Sequence, residues 1–532
     1  MPYYNNTGER IMKRLLVIMT SILIFTQTAT AQGVEQTFSE KVNEFMLPIS
    51  QIISDFVFYG APMDWLIPGA PKLPLIAVWL VGGAIFFSFY MGFPNIRGFK
   101  QSLRIVRGTY DNPSDPGEVT HFQALSAAVS GTVGLGNIAG VAIAVSIGGP
   151  GATLWMILAG LFGMTSKFVE CTLGVKYREI DANGVVSGGP MHYLTKGLAN
   201  RGLPNLGKVL AVLAALICIG GAYGAGAMFQ VNQSATQFTN EIAALTGGAD
   251  SFFYGKGWLF GIVFASIVGL VIIGGIRKIT HVTEFLVPIM AIIYVSGSLV
   301  VIFGHIDQIP SAIEQIITGA FTAHGVEGGV IGVLIQGLRR ASFSNEAGLG
   351  SASIAHAAAK TTEPVSEGLV ALLEPFIDTV VICTITALVI ILTNSYDANA
   401  SGTEAGIALT SKAFATVFDW FPYVLTVAVI MFAFSTSITW FYYGQRSFLW
   451  LVGDKPGADF LFKVSYLLVL VIGSAMSLGP VMDMADALLL AMGIPNILGL
   501  FLLRKEVKAM LQDYFARVKS GAIKPYVESK KT

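Results

Sequence analysis

Ser130-Gly131-Thr132-Val133-Gly134-Leu135-Gly136-Asn137 sets three glycines, a threonine and an asparagine in the middle of an apolar run covering 120–147. A run of that length reads as a membrane span. Glycine costs a helix about 1 kcal/mol relative to alanine, so three of them beside buried polar groups argue against an unbroken helix. Backbone that unwinds inside a bilayer must find partners in protein, water or ligand. The stretch therefore predicts a helix that opens near Gly134 and puts its freed amides and carbonyls to use. Gly160 and Gly163, by contrast, read as ordinary helix-packing glycines.

A second abnormal stretch lies five spans further on. Arg339-Arg340-Ala341-Ser342-Phe343-Ser344-Asn345-Glu346-Ala347-Gly348-Leu349-Gly350 is too polar to face lipid and predicts another opening near Ser344. Five is odd, so the two stretches occupy matching places in halves of opposite topology. Paired interrupted helices of this kind point to the central site of a secondary transporter. Arg339 and Arg340 need partners, and Glu374 and Asp378, one turn apart in the next span, are the candidates.

Composition agrees. Hydrophobic residues make up 53% of the 532-residue chain and charged residues 12%, with a mean hydropathy of +0.66. Soluble domains carry roughly 25% charged residues; hydrocarbon excludes them. The 59 glycines suit close helix approach in lipid. A net charge of zero gives no reason to expect a nucleic acid partner. Cys171, Cys218 and Cys383 fit no zinc or redox spacing. The six histidines are scattered, so no metal is expected beyond an alkali cation. No P-loop and no convincing nucleophile–base pair is present, which argues against ATP-driven transport and against an enzyme.

About eleven spans are expected, near 74–93, 120–147, 151–174, 208–235, 257–275, 282–303, 328–358, 368–393, 423–443, 462–477 and 482–503. Lys13 and Arg14, the apolar run 15–25 and Ala29-Thr30-Ala31 form a signal-peptide pattern. The division expected is a cleaved signal (1–31), a periplasmic segment (32–73), an extra first span with its cytoplasmic loop (74–118), two repeats (119–304 and 305–503) and a basic cytoplasmic tail (504–532). Arg97, Lys100, Arg104 and Arg107 follow the first span, and Arg504, Lys505 and Lys508 follow the last. The positive-inside rule then puts the mature N-terminus outside and the C-terminus in the cytoplasm of a bacterial inner membrane.

Thr132–Ile138, Gly148-Gly149-Pro150-Gly151 and Phe168-Val169-Glu170 resemble the first helices of the leucine-transporter fold. More specifically, residues 130–141, 167–170, Ser187-Gly188-Gly189-Pro190, 343–350 and Glu374-Pro375-Phe376-Ile377-Asp378-Thr379 resemble the alanine or glycine:cation symporter family. The likeness runs from about Pro74 to Leu503. It implies an all-α membrane protein with a 5+5 inverted repeat, two broken helices and one extra N-terminal span. It also implies sodium-coupled uptake of a small neutral amino acid, alanine of either hand or glycine.

Carried over residue by residue, the resemblance places substrate against Thr132, Gly134, Leu135, Gly136, Asn137, Gln230, Phe343, Thr436 and Trp440. The amides near Leu135 and Gly136 would take the carboxylate, and Trp440 would limit side-chain size. Sodium would lie among oxygens of Ser130, Val133, Ala433, Thr436 and Ser437, a hard-oxygen shell. Ser435 and Thr439 read as structural, since such hydroxyls often bond helix backbone. A carrier of another solute, coupled to cations or protons, and a non-transporting membrane sensor are the rival readings.

Overall fold

The computed structural model describes residues 37–62, 72–322, 329–397, 405–453 and 455–526. The expected signal segment lies outside them. The order of helices is α1 (Phe38–Val57), α2 (Leu75–Met91), α3 (Phe99–Val106), α4 (His121–Thr132), α5 (Gly136–Gly148), α6 (Ala152–Lys176), α7 (Pro204–Leu245), α8 (Gly257–Ile272), α9 (Gly275–Gly304), α10 (Ile309–Gly319), α11 (Gly329–Asn345), α12 (Ala352–His356), α13 (Pro364–Leu392), α14 (Ile407–Ala415), α15 (Phe421–Val452), α16 (Ala458–Ala475) and α17 (Leu478–Lys519).

Seven of these are long and apolar enough to cross a membrane: α6, α7, α9, α13, α15, α16 and α17. The pair α4 and α5 qualifies together and is bent by 51°. Helices α2 and α8 are apolar but shorter. The protein is thus a mostly helical, multi-pass membrane protein. Sheet is confined, among the described residues, to two antiparallel pairs, Gly60–Ala61 with Leu73–Pro74 and Glu179–Ile180 with Val186–Ser187. Helix α17 runs on past Leu503 into the basic segment as far as Lys519.

Helix α6 sits at the centre, packed by α2, α11 and α13. Its glycines explain the close approach. A Cβ on Gly160 would stand 3.0 Å from Thr379 Cβ, and one on Gly163 would stand 2.9 Å from Ala347 Cβ. Small residues let backbones meet where lipid supplies no hydrophobic drive.

Segment 32–73 contains α1, closed at its start by a capping box in which Glu40 N–H donates to Thr37 Oγ1 and Thr37 N–H to Glu40 Oε2. One side of α1 packs on α17, and Asn43 Oδ1 accepts from Ser477 N–H at 2.7 Å.

Candidate functional site

Helix α4 ends where its sequence predicts. Val133 leaves the helical region (φ −77°, ψ 86°), and the chain resumes at Gly136 in a wide π-type turn, 136–140. The amides freed by this break are met by side chains. Gly134 N–H donates to Asn137 Oδ1 at 3.0 Å, and Leu135 N–H to Gln230 Oε1 at 3.0 Å. A second π-type stretch, 222–228, precedes Gln230 in α7. Such turns widen a helix and recur at functional sites.

Thr436 on α15 donates to the Ser130 carbonyl at 2.9 Å. Trp440, one turn on, sends its indole N–H to the Gly131 carbonyl (3.2 Å) and Glu346 Oε1 (3.0 Å). A Cβ on Gly134 would lie 2.5 Å from Thr436 Oγ1 and 3.0 Å from Gln230 Oε1, and one on Gly136 would lie 3.0 Å from the Phe343 ring. Gly134, Leu135, Gly136, Asn137, Gln230, Phe343, Thr436 and Trp440 therefore surround one buried place. Thr132 is beside it, with its hydroxyl turned back on its own helix.

Of the expected sodium shell, Ser130 and Thr436 meet directly. Ser437 instead donates to the Gly226 carbonyl of α7 at 2.9 Å. Val133 and Ala433 are buried nearby in sequence. Ser435 and Thr439 serve neighbours: the Ser435 hydroxyl donates to Phe432 carbonyl, and Thr439 donates to Ser130 Oγ.

The second opening comes slightly later than Ser344. Helix α11 continues through Asn345, and the turn follows at Glu346 (φ +54°), Gly348 (+86°) and Gly350 (+87°). A left-handed φ at glutamate is uncommon and marks strain held by surrounding contacts. The contacts are visible: Glu346 accepts from Ser351 Oγ at 2.5 Å and from Trp440. Trp440 thereby bridges the two breaks.

The arginine expectation fails. Arg339 Nε lies 2.7 Å from Asp486 Oδ2 and its NH2 3.5 Å from Asp483 Oδ1, and Arg340 also pairs with Asp486. Both arginines precede the break and meet α17, whereas Glu374 faces α6. Asp483 and Asp486, three apart in the last apolar span, were the available signal.

Asp378 instead joins the two breaks. It accepts from Asn137 Nδ2, from Ser344 Oγ at 2.5 Å and from Thr379 Oγ1 at 2.7 Å. It is wholly buried, and none of the described cations lies within ion-pair distance of it.

Sequence reasoning missed a buried chain of charges. His121 pairs with Glu367, which receives His356 Nδ1 at 2.5 Å; His356 Nε2 meets Glu374 Oε1 at 2.6 Å. Lys167 Nζ lies 3.1 Å from Glu374 Oε2 and 3.9 Å from Glu170 Oε1. Glu170 Oε2 then accepts from Gly350 N–H and Asn496 Nδ2. Every member is buried. The chain ties α4, α6, α12 and α13 to the second break. Cys171, His356 and Glu374 also bring ligand-type atoms within 4.8 Å of one another, but both His356 nitrogens are already engaged by carboxylates.

Comparison with known proteins gives a consistent picture. The sequence matches the Sodium:alanine symporter family over residues 67–529. It is 38% identical over 431 residues to the sodium/alanine symporter AgcS of Methanococcus maripaludis, covering 81% of this chain and 92% of that protein. It is 34% identical to the probable sodium/glutamine symporter GlnT of Bacillus subtilis, covering 84% and 89%. In three dimensions it resembles MhsT, solved in complex with L-phenylalanine, with a TM-score of 0.54 and 15% identity over 73% of this chain and 89% of that one. That likeness concerns the fold alone.

Proposed function

The chain belongs to the sodium:alanine symporter family, and from that premise we propose that it imports a small neutral amino acid, alanine or glycine, together with sodium. It is a membrane transporter and not an enzyme. The observation that carries the proposal is the convergence of Gly134, Gln230, Phe343, Thr436 and Trp440 on the first break. A substrate carboxylate would compete with Gln230 Oε1 for the Leu135 amide, at the start of a half-helix whose dipole favours negative charge. The tight fit of Gly136 against Phe343 and the bulk of Trp440 favour a side chain no larger than methyl.

Two places suit a monovalent cation. One is the Ser130 carbonyl with Thr436 Oγ1, completed by Val133, Ala433 and, after a rotation of its hydroxyl, Ser437. The other is Asp378, whose buried carboxylate among neutral donors is costly until a cation or proton neutralises it. Ion binding at either place would order a broken helix and raise substrate affinity, and substrate would raise ion affinity equally. In this reading two inverted five-helix repeats, within about eleven spans, rock about the site in the inner membrane.

The test is uptake of labelled alanine into proteoliposomes. Replacing external sodium with choline is expected to abolish uptake. Thr436→Ala and Asp378→Asn are each expected to raise the sodium concentration for half-maximal uptake at least about tenfold, the loss of one good ligand. Undiminished uptake in choline would refute sodium coupling; if both variants leave the sodium dependence unchanged, the ion positions are wrong.

The substrate reading has its own check. Trp440→Leu removes bulk and both indole bonds, so the preference for alanine over glutamine should fall about tenfold in a competition assay. An unaltered preference would place Trp440 outside the selectivity wall.

A further inference from the structure

We propose that the cleft between the segment 97–104 and the end of α17 binds the acidic head group of a membrane phospholipid. Arg97, Lys100 and Arg104 line one side of a 480 Å³ recess, and Lys519 lines the other, with Phe515 at its wall. A second recess of 250 Å³ shares Arg97 and Phe515 and reaches Lys508, Tyr90 and Phe89. Five cations thus line two recesses that share a wall of Arg97 and Phe515.

Their acidic neighbours are committed elsewhere. Glu506 accepts from the Tyr177 hydroxyl at 2.9 Å and pairs with Lys176, while Asp513 and Glu363 are both held by Arg517. Among the described residues, none of the five cations forms an ion pair. Three of them rest on rings: Lys508 Nζ lies 4.4 Å from the Tyr90 centroid, the Arg97 guanidinium 5.6 Å from that of Phe515 and the Arg104 guanidinium 5.5 Å from that of Tyr110. A ring below a cation leaves its N–H groups to other partners: Arg97 Nη1 donates to the Gly92 carbonyl at 3.3 Å, and its remaining N–H groups can meet an anion. Lys100 and Arg104 are exposed and extend the same positive field.

The chemistry of the walls selects the class of anion. Phe89, 65% exposed on the apolar helix α2, continues the second recess onto the lipid-facing surface. A ligand that fills both parts has a phosphate head and an apolar body, which describes a phospholipid better than a free phosphate. Basic hollows at the membrane face bind acidic head groups for this reason. The proposal needs only that the chain spans a membrane, so it stands or falls apart from the substrate and the coupling ion.

The experiment uses the full-length carrier in detergent, melted with phosphatidylglycerol, with phosphatidylcholine of the same acyl chains, or with inorganic phosphate. Phosphatidylglycerol is expected to raise the melting temperature above both others, and native mass spectrometry should show it retained. Lys100→Glu, at an exposed position, and the triple variant Lys100→Ala/Arg104→Ala/Lys508→Ala should each remove that difference while leaving the phosphatidylcholine value unchanged. Equal melting with the two lipids overturns the proposal. So does a phosphate effect as large as that of phosphatidylglycerol, which would mark a free-anion site. A lipid difference that persists in both variants also overturns it.

Discussion

Lys167→Met is expected to destabilise the folded carrier by about 3–5 kcal/mol, the usual cost of removing one partner from a buried ion pair. Lys167 is completely buried between Glu374 at 3.1 Å and Glu170 at 3.9 Å. Without it, two carboxylates stay in an interior that cannot solvate them. His356 still meets Glu374, but Glu170 keeps only the neutral donors Gly350 N–H and Asn496 Nδ2. The variant should melt well below wild type and give less folded protein. Adding Glu170→Gln should restore part of the loss, because a neutral amide needs no counter-charge. A Lys167→Met protein that melts as wild type does would show that the chain of charges contributes nothing to stability.

Gly134→Ala should lower alanine uptake on the order of a hundredfold while leaving the protein folded. The new methyl would sit 2.5 Å from Thr436 Oγ1 and 3.0 Å from Gln230 Oε1. Neither oxygen can retreat freely, since Thr436 holds the Ser130 carbonyl and Gln230 holds the Leu135 amide. Overpacking of this kind costs about 1–3 kcal/mol, and here the strain falls on the groups assigned to substrate and ion. The matched control is Gly82→Ala in α2, whose added methyl meets nothing within 4 Å. Wild-type uptake by Gly134→Ala would remove the first break from the transport site.

The first break was legible because its cause is local. Three glycines between Gly131 and Gly136 cannot sustain a helix, and Asn137 is at hand to cap the freed Gly134 amide. The second break was legible for the same reason but misplaced by a few residues. Ser344 and Asn345 stay helical because their hydroxyl and amide find Asp378 and Thr379, partners 34 residues away. Gly226, which lets Trp440 approach α7, carried no signal of its own: its added Cβ would stand 2.2 Å from Trp440 Cβ, a closeness set by two helices that meet only in the fold.

Unaided, the sequence established a bundle of apolar helices interrupted by polar, glycine-rich breaks, and its motifs pointed to the family. Those features follow from hydration cost and backbone conformation, which act over a few residues at a time. Pairing of the charges was decided by tertiary structure alone. Arg339 and Arg340 could have met Glu374 and Asp378 by distance along the chain, yet they meet Asp483 and Asp486, while Lys167 and His356 take Glu374. A buried charge is stabilised by whichever opposite charge the packing brings near it, and which helices pack together depends on the faces of all of them at once.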